Sequence, residues 1–340
     1  MLSPAVHLKD HPKTVFLSDL HLGNGGDLDD FKKNADLVMS VLRNFYLPLN
    51  YTLVLNGDIE ELHRFPYLDI RRQWSALYSI FDDFIRKDKF FKMAGNHDFR
   101  LFSLKHDRAR ERLFESLKLI YNDDQVIFAF HGHQASHLNI KNKELISFVL
   151  RNFANPLHIK NRSTAHREHK KFRIEKNAYR FSSENKIISI IGHTHRPLFE
   201  SLAKIDSLKF KIEHLCRAYH LASSAEKKSI EEEIQFHKQK LEFQYKKNRK
   251  NGSRSSLYNS RLLIPCLFNS GCTIGKRGIT SLEIEKDQIR LIYWFDGSRN
   301  GTYFKHQEYS PEQLTNSDFY RTVLKSDSLD YIFSRIKLLA

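Results

Sequence analysis

Five short polar clusters, each directly behind a short apolar run, constrain this chain more than any other feature. Asp19-Leu20-His21 follows the run 14–17, and Gly57-Asp58 follows 51–55. Gly95-Asn96-His97-Asp98 follows 89–93, His131-Gly132-His133 follows 126–130, and Gly192-His193-Thr194-His195 follows 187–191. Between the early runs lie stretches with helical spacing at 31–46, 74–86 and 108–119. Short apolar runs alternating with amphipathic stretches predict βαβ units and a largely parallel sheet, hence an α/β fold. In such sheets ligands bind beyond the carboxyl ends of the strands, which is where every one of these clusters falls.

A length of 340 residues allows one large domain or two ordinary ones. We read a single domain over 1–340, interrupted by two polar, helical insertions at 134–186 and 199–261. In the second, Ser223 and Glu226 have the spacing of a capping box ahead of a helix from Ala225 to about Lys247, with Ile230, Ile234, Leu241 and Tyr245 on one side. The basic run 246–256 then reads as a loop. Strand patterns return at 263–269, 278–284 and 288–295, the last two joined by a hairpin at Lys286-Asp287.

Charge separates these parts. The first insertion carries 12 Lys and Arg against 4 Asp and Glu, and the second carries 14 against 8. Together they hold +14 of the net +15, so the strand-bearing body is nearly neutral. A positive field concentrated in two segments implies an anionic partner: a phosphorylated substrate, nucleic acid or an acidic membrane surface. No run approaches the ~18–20 apolar residues of a transmembrane helix. The first twelve residues lack the apolar stretch of a signal peptide. The cysteines Cys216, Cys266 and Cys272 have no CxxC spacing, which argues against a disulfide scaffold or a structural zinc site. A cytoplasmic location is expected, peripheral to a membrane at most.

The clusters themselves carry the chemistry. Asp and His two residues apart on extended backbone face the same side and can reach one ion, and so can His193 and His195. A mixed set of carboxylate, amide and imidazole donors suits Mn, Fe or Zn. Glycines beside the donors permit close backbone approach. A single Asp-x-His or His-x-His is usually an ordinary polar turn. Five such segments in order, each at a strand end, define a metal site.

The ordered set DxH, GD, GNHD, H and GHTH resembles the signature of the calcineurin-like metallophosphoesterases, over the core at 14–130 and 187–295. The resemblance implies a four-layer α/β/β/α sandwich with helical insertions, and two divalent metal ions, Mn first and Fe or Zn next, about 3.5–4 Å apart. It implies that Asp19, His21 and His195 bind one ion, that Asn96, His131 and His193 bind the other, and that Asp58 bridges them. A hydroxide held between the metals would attack phosphorus, while His97, its ring oriented by Asp98, would protonate the leaving oxygen. His133 competes with His131 as ligand; His131 is preferred because it directly ends its strand. Glu60, Glu61 and His63 would surround the ligands, Arg100 and Arg196 would contact phosphate, and Asn269-Ser270-Gly271 resembles an Asn-rich turn near such sites.

Three substrate classes fit. The chain resembles UDP-2,3-diacylglucosamine pyrophosphohydrolases in Asp58-x-x-Glu61, in Asn96-x-Asp98-Phe99, in the basic segment after His131 and in Gly192-His193-Thr194-His195-Arg196-Pro197. It departs from them at His97, where Arg is typical, at His133, where Asp is usual, and in the second insertion. Nucleases of double-strand-break repair share the GNHD and GHxH motifs, and there the basic insertions would track a phosphate backbone. A small phosphomonoester or phosphodiester is the third. The non-enzyme alternative, a nucleic-acid- or membrane-binding module with a relict site, conflicts with the intact ligand set.

Overall fold

The computed structural model describes residues 3–104, 112–122, 124–136, 168–201, 222–250, 263–299 and 311–340, with single positions 208, 209, 212, 213, 215, 216 and 219. The chain runs β1 (Ala5–His7), β2 (Lys13–Leu17), α1 (Ala35–Val41), β3 (Thr52–Asn56), α2 (Tyr67–Gln73), α3 (Ser75–Arg86), β4 (Phe90–Met93), β5 (Leu113–Phe114), β6 (Ser116–Ile120) and β7 (Val126–Phe130). It continues with α4 (Glu168–Glu184), β8 (Ile188–Ile191), α5 (Ser224–Lys250), β9 (Leu267–Asn269), β10 (Ile279–Glu285), β11 (Gln288–Asp296), β12 (Glu312–Gln313), β13 (Phe319–Ser328) and α6 (Leu329–Leu339).

Two sheets result. One has five strands in the order β1-β6-β7-β8-β9, the other eight in the order β12-β13-β11-β10-β2-β3-β4-β5. The side-chain period of two decides what each strand faces. In β2, Phe16 points into the core between the sheets, while Val15 and Leu17 point to the outer core under α1 and α3. In β3, Val54 goes inward and Leu53 and Leu55 outward. Leu117, Leu119, Ile127 and Ala129 answer Phe16 and Val54 from the second sheet. Each large aliphatic or aromatic side chain buried this way contributes about 1.5–3 kcal/mol. Helix α4 covers the smaller sheet with Ile174, Ala178 and Phe181, and Phe128 meets Phe181 at 6.1 Å. Helices outside two facing sheets are the expected α/β sandwich.

Some local expectations change. Residues 113–120 are strands, not the end of a helix over 108–119; positions 105–111 lie outside the described residues. The reason is alternation: Leu117 and Leu119 are buried while Lys118 between them faces solvent, and β6 pairs with both β1 and β7. The large sheet is parallel only from β2 to β5; β10, β11 and β13 are antiparallel because tight turns such as Lys286-Asp287 cannot carry a parallel crossover. The stretch 31–46 is helical but changes pitch, closing in a π turn at Leu42–Tyr46. Half of the capping box forms: the Ser223 amide donates to Glu226 Oε2 at 2.9 Å, while the Ser223 hydroxyl donates to that same oxygen at 2.7 Å. The helix it starts runs to Lys250, so the basic run 246–256 begins inside a helix, and 251–256 lies outside the described residues. The greater part of the first inserted region, 137–167, also lies outside them, as do 202–207 and 251–262. Among the described residues no helix is long and apolar enough to cross a membrane.

Candidate metal centre

The carboxyl ends of β2, β3, β4, β7 and β8 converge on one place. The segments behind β2 and β3 run side by side: Asp19 N donates to Gly57 O, His21 N to Asp58 O and Leu22 N to Ile59 O, at 2.8–3.0 Å. Asp19, His21, Asp58, His193 and His195 all have φ between 51° and 64°. A left-handed backbone costs an ordinary residue of order 1–3 kcal/mol, and such strain gathers where a site over-determines it. Glycine makes room for the crowding. A Cβ on Gly57, itself at φ 84°, would lie 2.5 Å from His131 Nδ1, and one on Gly192 2.7 Å from Asp19 Oδ2. One on Gly95 would collide with Asp58 Oδ1.

Among the described residues three groups of donors form; one, His21, Glu61 and His97, shares His21 with another, and the remaining two gather at the strand ends. Asp19, His21 and His195 make one, with His195 Nε2 3.1 Å from Asp19 Oδ1 and 3.2 Å from His21 Nε2. Asp58, His131 and His193 make the other, with His131 Nε2 3.0 Å from Asp58 Oδ2 and 3.3 Å from His193 Nδ1. His21 Nε2 stands 4.0 Å from both Asp19 Oδ1 and Asp58 Oδ2, so Asp58 lies between the groups. His133 joins none of these groups; its ring is 5.5 Å from that of His131.

Hydrogen bonds aim the rings. His131 Nδ1 faces the Asn56 carbonyl at 2.8 Å, which can only accept, so Nδ1 carries a hydrogen and Nε2 is the atom turned inward. Glu61 does the same for two rings, with His21 Nδ1 at 3.0 Å and His97 Nδ1 at 2.8 Å from its carboxylate. Burial works against the charge on Glu61, but the His21 and His97 bonds outweigh it and hold the carboxyl down at about 2. It is therefore an acceptor at any working pH, and both Nε2 atoms turn toward the donor groups.

The donor set fits divalent cations. Ring nitrogens face one another across carboxylate oxygens, and Asn96 Oδ1 is buried with no hydrogen-bond partner, an arrangement that a coordinated ion would satisfy. Burial pushes the Asp58 carboxyl up, yet His131, His97 and His21 hold it well below the usual range. Burial alone would lower His131, but Asp58 and then Asp19 raise it to about 9. His193 drops to about 3 through burial and the neighbouring His131.

His97 sits beside these groups, its amide donating to Asp58 Oδ1 at 2.8 Å and its Nε2 4.0 Å from Asp58 Oδ2. Burial opposes its charged form, but Glu61 and Asp58 raise its pKa. The ring is oriented by Glu61. The expectation that Asp98 does this is corrected: the Asp98 carboxylate accepts from Ile59 N at 2.7 Å and Gly95 N at 2.5 Å, and so ties segment 57–61 to segment 95–98. Burial, Glu60 and Asp58 push the Asp98 carboxyl up to about 7.

Other candidates scatter. Glu60 turns away from the centre, to Lys92 Nζ at 2.5 Å and the Tyr78 hydroxyl at 2.6 Å. His63 lies over His97 with ring centroids 4.5 Å apart, and Arg100 is close enough to lower the His63 pKa, though less than burial and His97 do. Arg196 does not reach for the centre; it pairs with Glu175 of α4. Asn269 Nδ2 donates to Gly192 O and Thr194 Oγ1, both at 2.9 Å, so the turn behind β9 does adjoin the site. Glu175 itself is not singled out by sequence, because Arg173-Ile174-Glu175-Lys176 reads like any solvated helix turn.

The calcineurin-like phosphoesterase profile matches residues 12–197, more than half of the chain's 340 residues, and the chain belongs to that family. The match spans all the donors described above. No curated protein matches the chain. Among solved structures, a crystal structure of a Vps29 single mutant from Entamoeba histolytica aligns with 84% of this chain and 92% of its own, at 10% identity and a TM-score of 0.32. That likeness is too distant to bear on function.

Proposed function

We propose that this chain is a metal-dependent hydrolase of phosphoester or pyrophosphate bonds that works with two divalent ions. Asp19, His21 and His195 would hold one ion, Asn96, His131 and His193 the other, and Asp58 would touch both. The observation that carries this reading is the convergence of two donor groups on Asp58, beside a buried Asn96 oxygen that has no partner. When bound, such ions supply an activated water and neutralise charge on the phosphoryl group. Mn is the ion we expect, with Fe or Zn as substitutes.

The chain's own residues supply the rest. Glu61 holds the His97 ring by Nδ1, which leaves Nε2 toward Asp58, and Glu61 and Asp58 raise its pKa against burial, which favours the protonated ring. His97 would give that proton to the leaving oxygen. Asp98 would act through position, keeping the backbone around Asn96 and His97 against that of Asp58.

For the substrate, the motifs around Asp58, Asn96 and His193 support a UDP-2,3-diacylglucosamine pyrophosphohydrolase-like reaction. The positive charge of the two inserted segments supports a second reading, a nucleic-acid phosphodiester bond. The test is a Mn²⁺ panel with an aryl phosphomonoester, a bis-aryl phosphodiester, a UDP-sugar lipid, and single- and double-stranded DNA. Wild type should turn over at least one, and Asp58→Asn should abolish it. No turnover with any metal, or equal turnover by Asp58→Asn, would overturn the proposal. Release of UMP would select the first substrate reading, and DNA cleavage the second.

A further inference from the structure

Helix α4 reaches the metal centre through one buried carboxylate. Glu175 is 0% exposed, and the Thr194 hydroxyl donates to its Oε1 at 2.7 Å. Arg196 donates to it through Nε at 3.2 Å and through a second guanidinium nitrogen. Thr194 stands between His193 and His195, both in left-handed backbone, and is itself fully buried. Its hydroxyl oxygen accepts from Asn269 Nδ2 on β9 while its hydrogen goes to Glu175.

We propose that Glu175 is a positioning residue that holds the 192–196 turn in the one shape from which His193 and His195 serve two different ions. The proposal rests on the reading of both histidines as ligands. Two strained residues flanking one threonine will not keep their conformation by local preference; something outside the turn must hold it. Asn269 holds it from the sheet side and Glu175 from the helix side. Carboxylates that orient the parts of a metal site in this indirect way typically change metal affinity 10–100-fold when removed.

The bond to Arg196 has a second consequence. A buried carboxylate stripped of the one cation paired with it among the described residues is strongly unfavourable, so Arg196 stays with Glu175 when an anion enters the site. Arg196 is therefore part of the clamp and not a phosphate contact, although its side chain is 44% exposed.

A merely structural role would tie α4 to the sheet, which Ser182 also does through its hydroxyl contact with Ser189 at 2.7 Å. The two roles separate in metal binding. Mn²⁺ affinity and stoichiometry are measured by calorimetry on wild type, Glu175→Ala, Glu175→Gln, Thr194→Val and Ser182→Ala, with the visible spectrum of the Co²⁺-loaded forms and thermal unfolding of the metal-free forms. Glu175→Ala and Thr194→Val should weaken Mn²⁺ binding 10–100-fold and alter the cobalt bands. Glu175→Gln, which keeps an acceptor for Thr194, should recover most of the affinity. Ser182→Ala should lower the unfolding temperature and leave the cobalt spectrum unchanged. If Glu175→Ala does not fold, Thr194→Val decides. Wild-type affinity and spectrum in the folded Glu175→Ala or Thr194→Val protein would overturn the positioning role. Absence of Mn²⁺ binding by wild type would overturn the two-metal reading beneath it.

Discussion

Replacing Gly57 by Ala should strongly destabilise this protein. Gly57 has φ 84°, and placing an L-residue there costs of order 1–2 kcal/mol in backbone strain. The new methyl would stand 2.5 Å from His131 Nδ1, 2.6 Å from its Cγ and 2.7 Å from its Cβ, well inside ordinary contact. The ring cannot simply retreat. It is fully buried, and its Nδ1 is bonded to the carbonyl of Asn56, the residue next to Gly57. Shifting it breaks that bond, at about 1 kcal/mol, and overpacks the core, at about 1–3 kcal/mol. The sum is about 3–6 kcal/mol, a large part of the stability of an ordinary domain. Urea unfolding of the metal-free protein reads it as a lower midpoint with unchanged slope. Gly26→Ala is the control, since the nearest atom to its Cβ is Asn24 Oδ1 at 3.1 Å and its φ is ordinary. A Gly57→Ala midpoint within about 0.5 kcal/mol of wild type, the usual range for an inert surface change, would refute the packing argument.

Two further outcomes follow from the same geometry. Glu61→Gln removes the carboxylate that raises the His97 pKa, so the alkaline limb of the pH–rate profile should move to lower pH and turnover should fall about 10²-fold; an unmoved limb would separate His97 from the proton transfer. Glu200 is pushed up to about 7 by burial and by the hydrogen bond with Asp327, against the pull of Arg335 at 3.0 Å. The folded state then holds a proton that the unfolded state releases near pH 4.5, so stability should decline by roughly 1–3 kcal/mol as pH rises from about 4.5 to 7. Chemical unfolding across that window should show a flatter slope in Glu200→Gln than in wild type.

Much of this protein is legible in the order of its residues. A strand ending in Asp19 or His193 can be read because alternation and β-branched runs are local properties, and because five polar clusters at strand ends survive any detail of packing. Where the local pattern is ambiguous, tertiary context decides. The segment 113–120 contains enough leucine and lysine for a helix, but β1 and β7 on either side draw it into the sheet. Strand β13 has alternating residues of middling polarity and becomes recognisable only beside β11, which supplies its partner from Gln288 to Asp296.

The site divides in the same way. Five short motifs and their resemblance to the calcineurin-like phosphoesterases pick out Asp19, His21, Asp58, Asn96, His131, His193 and His195 as candidate ligands before any coordinates. What aims these side chains depends on atoms brought together from distant parts of the chain. His21 and His195 are 174 positions apart and their nitrogens are 3.2 Å apart. Asp98 neighbours His97 in the chain, yet Glu61 across the turn orients that ring, because a buried Asp98 is consumed by two backbone amides. Glu175 is indistinguishable from a surface glutamate until α4 packs it against Thr194. Sequence alone determined the chemical inventory and the strand ends that carry it, since both are written in short-range pattern. Only the folded structure decided orientation, because a hydrogen bond's direction is a property of the neighbour that accepts it.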